Sequence, residues 1–164
     1  MEPLACIQLG GNQPQTPYWF GRALAAACTW SGTGYCLASP WYRSPPWGYQ
    51  SANDFLNRIL VFPYSSKPES LLRNMQRLEQ LSGKPDQSQG YADRKLDLDL
   101  LFLGEEIVNK KDLTLPHPRL HLRNFVLFPL VDILPDFVHP LLQKQLHELK
   151  ELSPDMSTVE RWMD

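Results

Sequence analysis

The sequence predicts an α+β fold with a ferredoxin-like βαββαβ core, a mostly antiparallel sheet carrying helices on both faces. Three observations predict it. Two stretches with helical spacing each stand between extended runs, the run near residues 96–103 alternates briefly and then becomes continuously apolar as an interior strand does, and the order of elements is that of the split β-α-β unit. With 164 residues, 43% of them hydrophobic and 21% charged, and no visible linker, residues 1–164 read as one domain with a packed core.

The first apolar run, Leu4 to Leu9, stops at Gly10-Gly11-Asn12, a strand entering a tight turn. Thr16 is expected to cap the helix that follows, Pro17 suits its first turn, and Phe20, Ala23, Leu24 and Ala27 recur at helical spacing before the break at Gly32-Thr-Gly34. Tyr35 to Ser44 reads as extended. Pro45-Pro46-Trp47-Gly48 then opens a loop, since proline supplies no N–H to a ladder. Phe55 to Phe62 resumes an extended run, and a helix from about Pro68 to Ser82 aligns Leu71, Met75 and Leu78, with Gly83 placed to end it. Lys84 to Asp93 is polar and predicts a mobile loop. Leu96 to Leu103 is the interior strand, which Gly104-Glu105-Glu106 turns into a short return strand around Ile107-Val108. Helical runs from about Arg123 to Ile133 and Leu141 to Leu152 are left to cover the other face or extend the edge.

Sixteen Lys and Arg against eighteen Asp and Glu give a net charge of -2, which argues against a general nucleic-acid binder and leaves any anionic ligand to local cations. The longest apolar stretches, such as Phe125 to Ile133, are too short for a membrane span, and the start lacks a basic region followed by an apolar run. A monomer in the cytoplasm is expected. Cys6, Cys28 and Cys36 are odd in number and lack metal-ligand spacing, so three reduced thiols are expected.

Asp97-Leu98-Asp99 lies in the most apolar strand, and residues two apart on a strand share a face, so both carboxylates emerge side by side. Such a pair suits Mg2+, which accepts carboxylate oxygens together with water and phosphate. Arg94, Lys95 and Lys84 group cations around it. Phe55 and Asn57 share a strand face, offering a flat ring beside an amide that both donates and accepts, the combination a flat nitrogen heterocycle requires. Leu115-Pro-His117-Pro-Arg119-Leu-His121-Leu-Arg123-Asn-Phe125 packs cations and an aromatic into a proline-interrupted segment suited to phosphate, and no nucleophile motif accompanies its histidines. On the residues alone, a solvated carboxylate pair on an edge strand, and a core Phe beside a turn-closing Asn, stay open as readings.

Taken together, these residues resemble the 6-hydroxymethyl-7,8-dihydropterin pyrophosphokinase family of folate biosynthesis over about residues 4 to 140. The motifs that carry the likeness are Leu9-Gly10-Gly11-Asn12, Tyr42-Arg-Ser-Pro-Pro-Trp-Gly48, Phe55-Leu-Asn57, Glu79, Arg94-Lys-Leu-Asp-Leu-Asp-Leu100, Leu113-Thr-Leu-Pro-His-Pro-Arg-Leu-His121 through Arg123, Phe125 and Pro129-Leu130, and Asp136-Phe-Val-His-Pro140. The resemblance implies that Asp97 and Asp99 hold two Mg2+ ions bridging ATP and the pterin alcohol. It implies further that Phe55 and Phe125 sandwich the pterin, that Asn57 bonds its edge, and that backbone groups of Ser44, Pro46 and Trp47 complete that site. His117 and Arg123 would meet ATP, Glu79 and Lys84 would lie at the nucleotide site, and Arg94 would serve catalysis. The implied reaction moves the β,γ-diphosphoryl unit of ATP onto the alcohol of the reduced hydroxymethylpterin and releases AMP. The chain departs from the family before Arg94, where arginines and a Gly-Pro are usual and Lys84, Asp86, Gly90, Tyr91, Ala92 and Asp93 stand here, and at Asp112, where an arginine is common. Asp86 and Asp93 are expected to repel the triphosphate, and a catalytically weakened or inactive pterin- or nucleotide-binding paralogue is the alternative reading.

Overall fold

The computed structural model describes residues 1–84 and 92–162. Strand β1 (Leu4–Gly11) is the centre of the sheet, pairing antiparallel with β4 (Phe55–Pro63) on one side and β5 (Asp97–Leu103) on the other. Two short strands, β2 (Leu37–Ala38) and β3 (Tyr42–Ser44), follow one another along the far edge of β4. The principal order is β5-β1-β4-β3-β8, where β8 is Glu160–Arg161, and the first four strands reproduce the expected ferredoxin-like arrangement.

Alternation along β1 sends Ala5, Ile7 and Leu9 to one face, against Phe20, Ala23 and Ala27 of helix α1 (Thr16–Trp30) and Leu71, Met75 and Leu78 of helix α2 (Pro68–Leu81). Cys6, Ile59 and Val61 face the other way, against Val126, Leu127 and Leu130 of helix α3 (Asn124–Ile133) and Leu146 and Leu149 of helix α4 (Leu146–Glu151). The register between β1 and β5 slips at Cys6/Ile7, so Leu101 and Phe102, though consecutive, both join the α3–α4 cluster.

Three expectations are corrected. Thr16 is the first helical residue rather than the cap; its Oγ1 donates to the Lys95 carbonyl at 2.9 Å and accepts the Gln13 N–H at 3.2 Å, which ties the helix start to the chain entering β5. The strand near Ile107-Val108 does not return along β5. It is β6 (Val108–Lys110), and it pairs with β7 (Leu113–Leu115) in a separate two-stranded sheet. The last helix begins at Leu146, not Leu141, because His139 Nδ1 accepts the N–H groups of Leu141 and Leu142 in a tight turn that continues through Gln143 at φ 53°. Strand β8 had no forerunner in the sequence pattern. The mobility expected of residues 84–93 falls largely on residues 85–91, outside the described residues. Among the described residues no helix is long and apolar enough to cross a membrane, and all three cysteines are unpaired.

Candidate active site

The site forms where β1 ends and β4 and β5 begin, on the α3 side of the sheet. Gly10 pairs with Asn57 on one side and Asp97 on the other, while Gln8 pairs with Asp99, so one pleat face carries an amide and two carboxylates around a glycine. A Cβ on Gly10 would lie 3.3 Å from Gln8 Nε2, and the hydrogen in its place leaves the floor of the cleft open. Lining that cleft are Ser44, Pro45, Trp47, Tyr49, Phe55, Asn57 and Phe125 on the aromatic side and Arg94, Asp97, Asp99 and Arg123 on the charged side. Asn57 is buried and oriented by donating to Ser44 Oγ at 2.8 Å while accepting from Gln8 Nε2 at 3.4 Å.

Asp97 accepts from Lys84 Nζ at 2.5 Å and stands 3.3 Å from Arg94 Nη1. Burial works against its ionisation, but these two cations hold its carboxyl below the usual range. Asp99 has weaker help, Arg123 Nη1 at 3.8 Å, and burial plus the neighbouring Asp97 charge push it up to about 6. Such a pair gains from a divalent cation, which removes the repulsion that keeps Asp99 reluctant to ionise, so the donors fit Mg2+ ligation completed by phosphate and water. Among the described residues no group of three or more His, Cys, Asp or Glu side chains could hold a metal by themselves.

A second, more polar cleft opens beside the first and shares Asp99 with it. Its walls include Gln76, Glu79, Lys84, Lys111, Asp112, Thr114 and His117. Glu79 is buried, accepts the Leu98 N–H at 2.6 Å and Lys84 Nζ at 2.9 Å, and burial raises its carboxyl to about 7 in spite of Lys84. Burial alone would lower the Lys84 pKa, yet Asp97 and Glu79 raise it, keeping a full positive charge between the clefts. His117 is pushed down to about 4 by burial and by Arg123 and Arg119, so it enters this cleft as a neutral ring whose Nδ1 accepts the Arg119 N–H at 3.1 Å. The Arg123 guanidinium lies 4.5 Å from the Trp47 ring and 5.5 Å from the Phe125 ring, a cation held between aromatic pocket and carboxylates.

The sequence-derived residues therefore gather as two adjoining groups. Ser44, Trp47, Phe55, Asn57, Arg94, Asp97, Asp99, Arg123 and Phe125 line the first cleft, and Glu79, Lys84, His117 and Asp99 the second; Pro45, not Pro46, is the lining proline. Arg123, expected at the nucleotide, lines the aromatic cleft instead because it is drawn to Trp47 and Asp99. Asp93, expected to repel phosphate from the loop, has its carboxylate held by hydrogen bonds from Asn12, Tyr49 and Asn53. Gln8 and Tyr49 line the cleft without having been singled out. Gln8 was findable as the lone polar side chain in an apolar strand, whereas nothing in the local sequence distinguishes Tyr49.

Comparison with known proteins identifies the family and the fold. Residues 6–135 match the family described as 7,8-dihydro-6-hydroxymethylpterin-pyrophosphokinase (HPPK). The chain is 34% identical over 158 residues to a 2-amino-4-hydroxy-6-hydroxymethyldihydropteridine pyrophosphokinase of Haemophilus influenzae, covering 92% of this chain and 98% of that protein. It is 36% identical over 137 residues to the like-named protein of Porphyromonas gingivalis, covering 82% and 92%. A crystal structure of Plasmodium falciparum HPPK-DHPS shares the fold with a TM-score of 0.72 at 13% identity over 93% of this chain, which spans 45% of that larger chain. The chain belongs to the 7,8-dihydro-6-hydroxymethylpterin-pyrophosphokinase family.

Proposed function

We propose that the protein transfers the β,γ-diphosphoryl unit of ATP to the hydroxymethyl group of 6-hydroxymethyl-7,8-dihydropterin in folate biosynthesis, as a single-domain, cytoplasmic monomer. The observation that carries this reading is the position of Asp99, which lines both the aromatic cleft and the polar one. A flat heterocycle and a triphosphate seated in the two clefts meet at the carboxylates.

Phe55 and Phe125 take the faces of the pterin ring, Asn57 takes its edge, and Ser44 with Pro45 and Trp47 closes that end. Glu79, Lys84 and His117 receive the nucleotide, and Arg123 reaches from the aromatic side toward the phosphates. Asp97 and Asp99 are the residues that would hold two Mg2+ ions, whose charge would offset that developing on phosphate oxygens. In the transfer the alcohol gives up its proton to solvent as its oxygen forms a bond to the β-phosphorus, the bond from that phosphorus to the α,β-bridging oxygen breaks, and AMP departs with that oxygen. Arg94 and Lys84 supply cations that need no rearrangement at that moment, and the aromatic walls fix the alcohol in line.

The test is product analysis with ATP, Mg2+ and the reduced hydroxymethylpterin. AMP is expected, and only when all three are present; ADP or inorganic phosphate in its place would refute the reaction class.

A further inference from the structure

The turn after β1 and the chain entering β5 are joined by paired hydrogen bonds. The Asn12 N–H donates to the Arg94 carbonyl and the Arg94 N–H donates to Asn12 Oδ1, both at 2.9 Å. Asn12 Nδ2 then donates to Asp93 Oδ1 at 2.8 Å. From Asp93 the connection continues to the opposite wall of the aromatic cleft, where Tyr49 Oη donates to Oδ1 at 3.1 Å and Asn53 Nδ2 donates to Oδ2 at 3.4 Å. Tyr49 in turn meets Phe55 edge to face at 6.1 Å, and both rings line the cleft. At the other end Arg94 stands 3.3 Å from Asp97. One carboxylate thus lies between the loop that walls the aromatic pocket and the arginine that faces the acidic pair.

We propose that Asp93 is a positioning residue, which docks the Tyr49–Asn53 loop onto the Asn12–Arg94 junction so that the aromatic wall and the Arg94 guanidinium take up their places together. The inference rests on the reading of Arg94 as a group that meets phosphate. Asp93 is itself exposed, and each of its hydrogen bonds taken singly is weak; the effect comes from several donors converging on one acceptor-only group. Hydrogen bonds from Ser51 and Asn12, chief among others, hold the carboxyl below its usual range, as an engaged carboxylate requires. An alanine here frees the loop from the junction, whereas an asparagine keeps one acceptor oxygen for Asn12 and Tyr49 and turns an amide donor toward Asn53.

The experiment is a double-mutant cycle with a parallel hydrogen-exchange measurement. Asp93→Ala is expected to lower kcat about tenfold while the KM for ATP changes less than about twofold, and Asp93→Asn to recover part of the loss. In an Arg94→Ala background the same Asp93→Ala change is expected to lower kcat less than about threefold, because the part that Asp93 exerts through Arg94 is already lost and only its hold on the aromatic wall remains. Amide exchange at Arg94 should quicken about tenfold in Asp93→Ala while amides of β4 keep their wild-type rates. An equal kcat loss in both backgrounds would make Asp93 a general support and overturn the proposal, as would unchanged exchange at Arg94. The exchange result stands without turnover, so a wild-type protein that made no AMP would refute the reaction while leaving the Asp93 contact to be judged on exchange.

Discussion

Glu79, Asp97 and Asp99 lie in one patch yet release their protons at different pH, and the differences can be measured. Asp97 stays ionised because Lys84 and Arg94 outweigh its burial, while burial raises Asp99 to about 6 and Glu79 to about 7. For the two raised carboxyls the folded protein keeps protons that the unfolded chain gives up. Their stabilising contribution is complete below the unfolded pKa and is lost as pH rises through about 6 to 7. Glu79→Gln is therefore expected to remove about 2 kcal/mol of the stability that the wild type loses between pH 5 and pH 8, read from urea unfolding at both pH values. An unchanged pH slope would mean that Glu79 titrates normally. The carboxylate pair gives an asymmetric prediction. Asp97→Asn and Asp99→Asn should each lower turnover on the order of a hundredfold or more, since each strips negative charge from a carboxylate proposed to ligate Mg2+. Only Asp97→Asn should also cost stability, by about 1–3 kcal/mol, because it leaves Lys84 and Arg94 facing a neutral amide. Equal melting temperatures for the two variants would contradict this account.

At the level of elements, two glycines ending β1 and α2 are needed for different reasons. A Cβ on Gly11 would come within 2.5 Å of both the Lys95 carbonyl oxygen and Thr16 Oγ1, so alanine there pushes apart the strand end, the helix start and the chain entering β5. Among the described residues nothing crowds Gly83, but it sits at φ +83°, where any side chain is strained. Gly11→Ala should cost about 3 kcal/mol and Gly83→Ala about 1 kcal/mol in chemical denaturation, and the reverse order would show that the close approach at Gly11 relaxes freely. Gly83 was legible as a helix terminator because helix ends follow local rules, and the shared face of Asp97 and Asp99 was legible because strand periodicity is local too. The partner of Val108–Lys110 was not, since three residues carry too little pattern to choose between β5 and β7. Nor was β8, whose two exposed residues are placed by distant groups. Arg161 pairs with Tyr42, and both side chains meet Asp132 on α3, at 3.1 Å and 2.5 Å respectively. The start of α4 was misjudged because His139 accepts two N–H groups that a continuous helix would have used otherwise.

Over the whole molecule, one sheet separates two apolar clusters, and β1, β4 and β5 contribute side chains to both. Loosening either cluster exposes strands that the other depends on. Phe20→Ala on the α1 side and Leu130→Ala on the α3 side should therefore each cost about 3 kcal/mol and lower one common calorimetric transition, with no second peak. Two separable transitions would divide the chain into independent folding units. The α3 side also presents the site, because the sheet edge that carries Asp97, Gly10 and Asn57 extends past the apolar packing of that helix. Within the cleft Arg123 rests over the indole of Trp47. An excited indole is sensitive to a charge held against its face, so the light emitted by Trp47 registers where that guanidinium stands. A ligand that draws Arg123 toward its own negative charge alters the brightness or colour of the ring, and an unlabelled protein in solution becomes an optical gauge of its own filling.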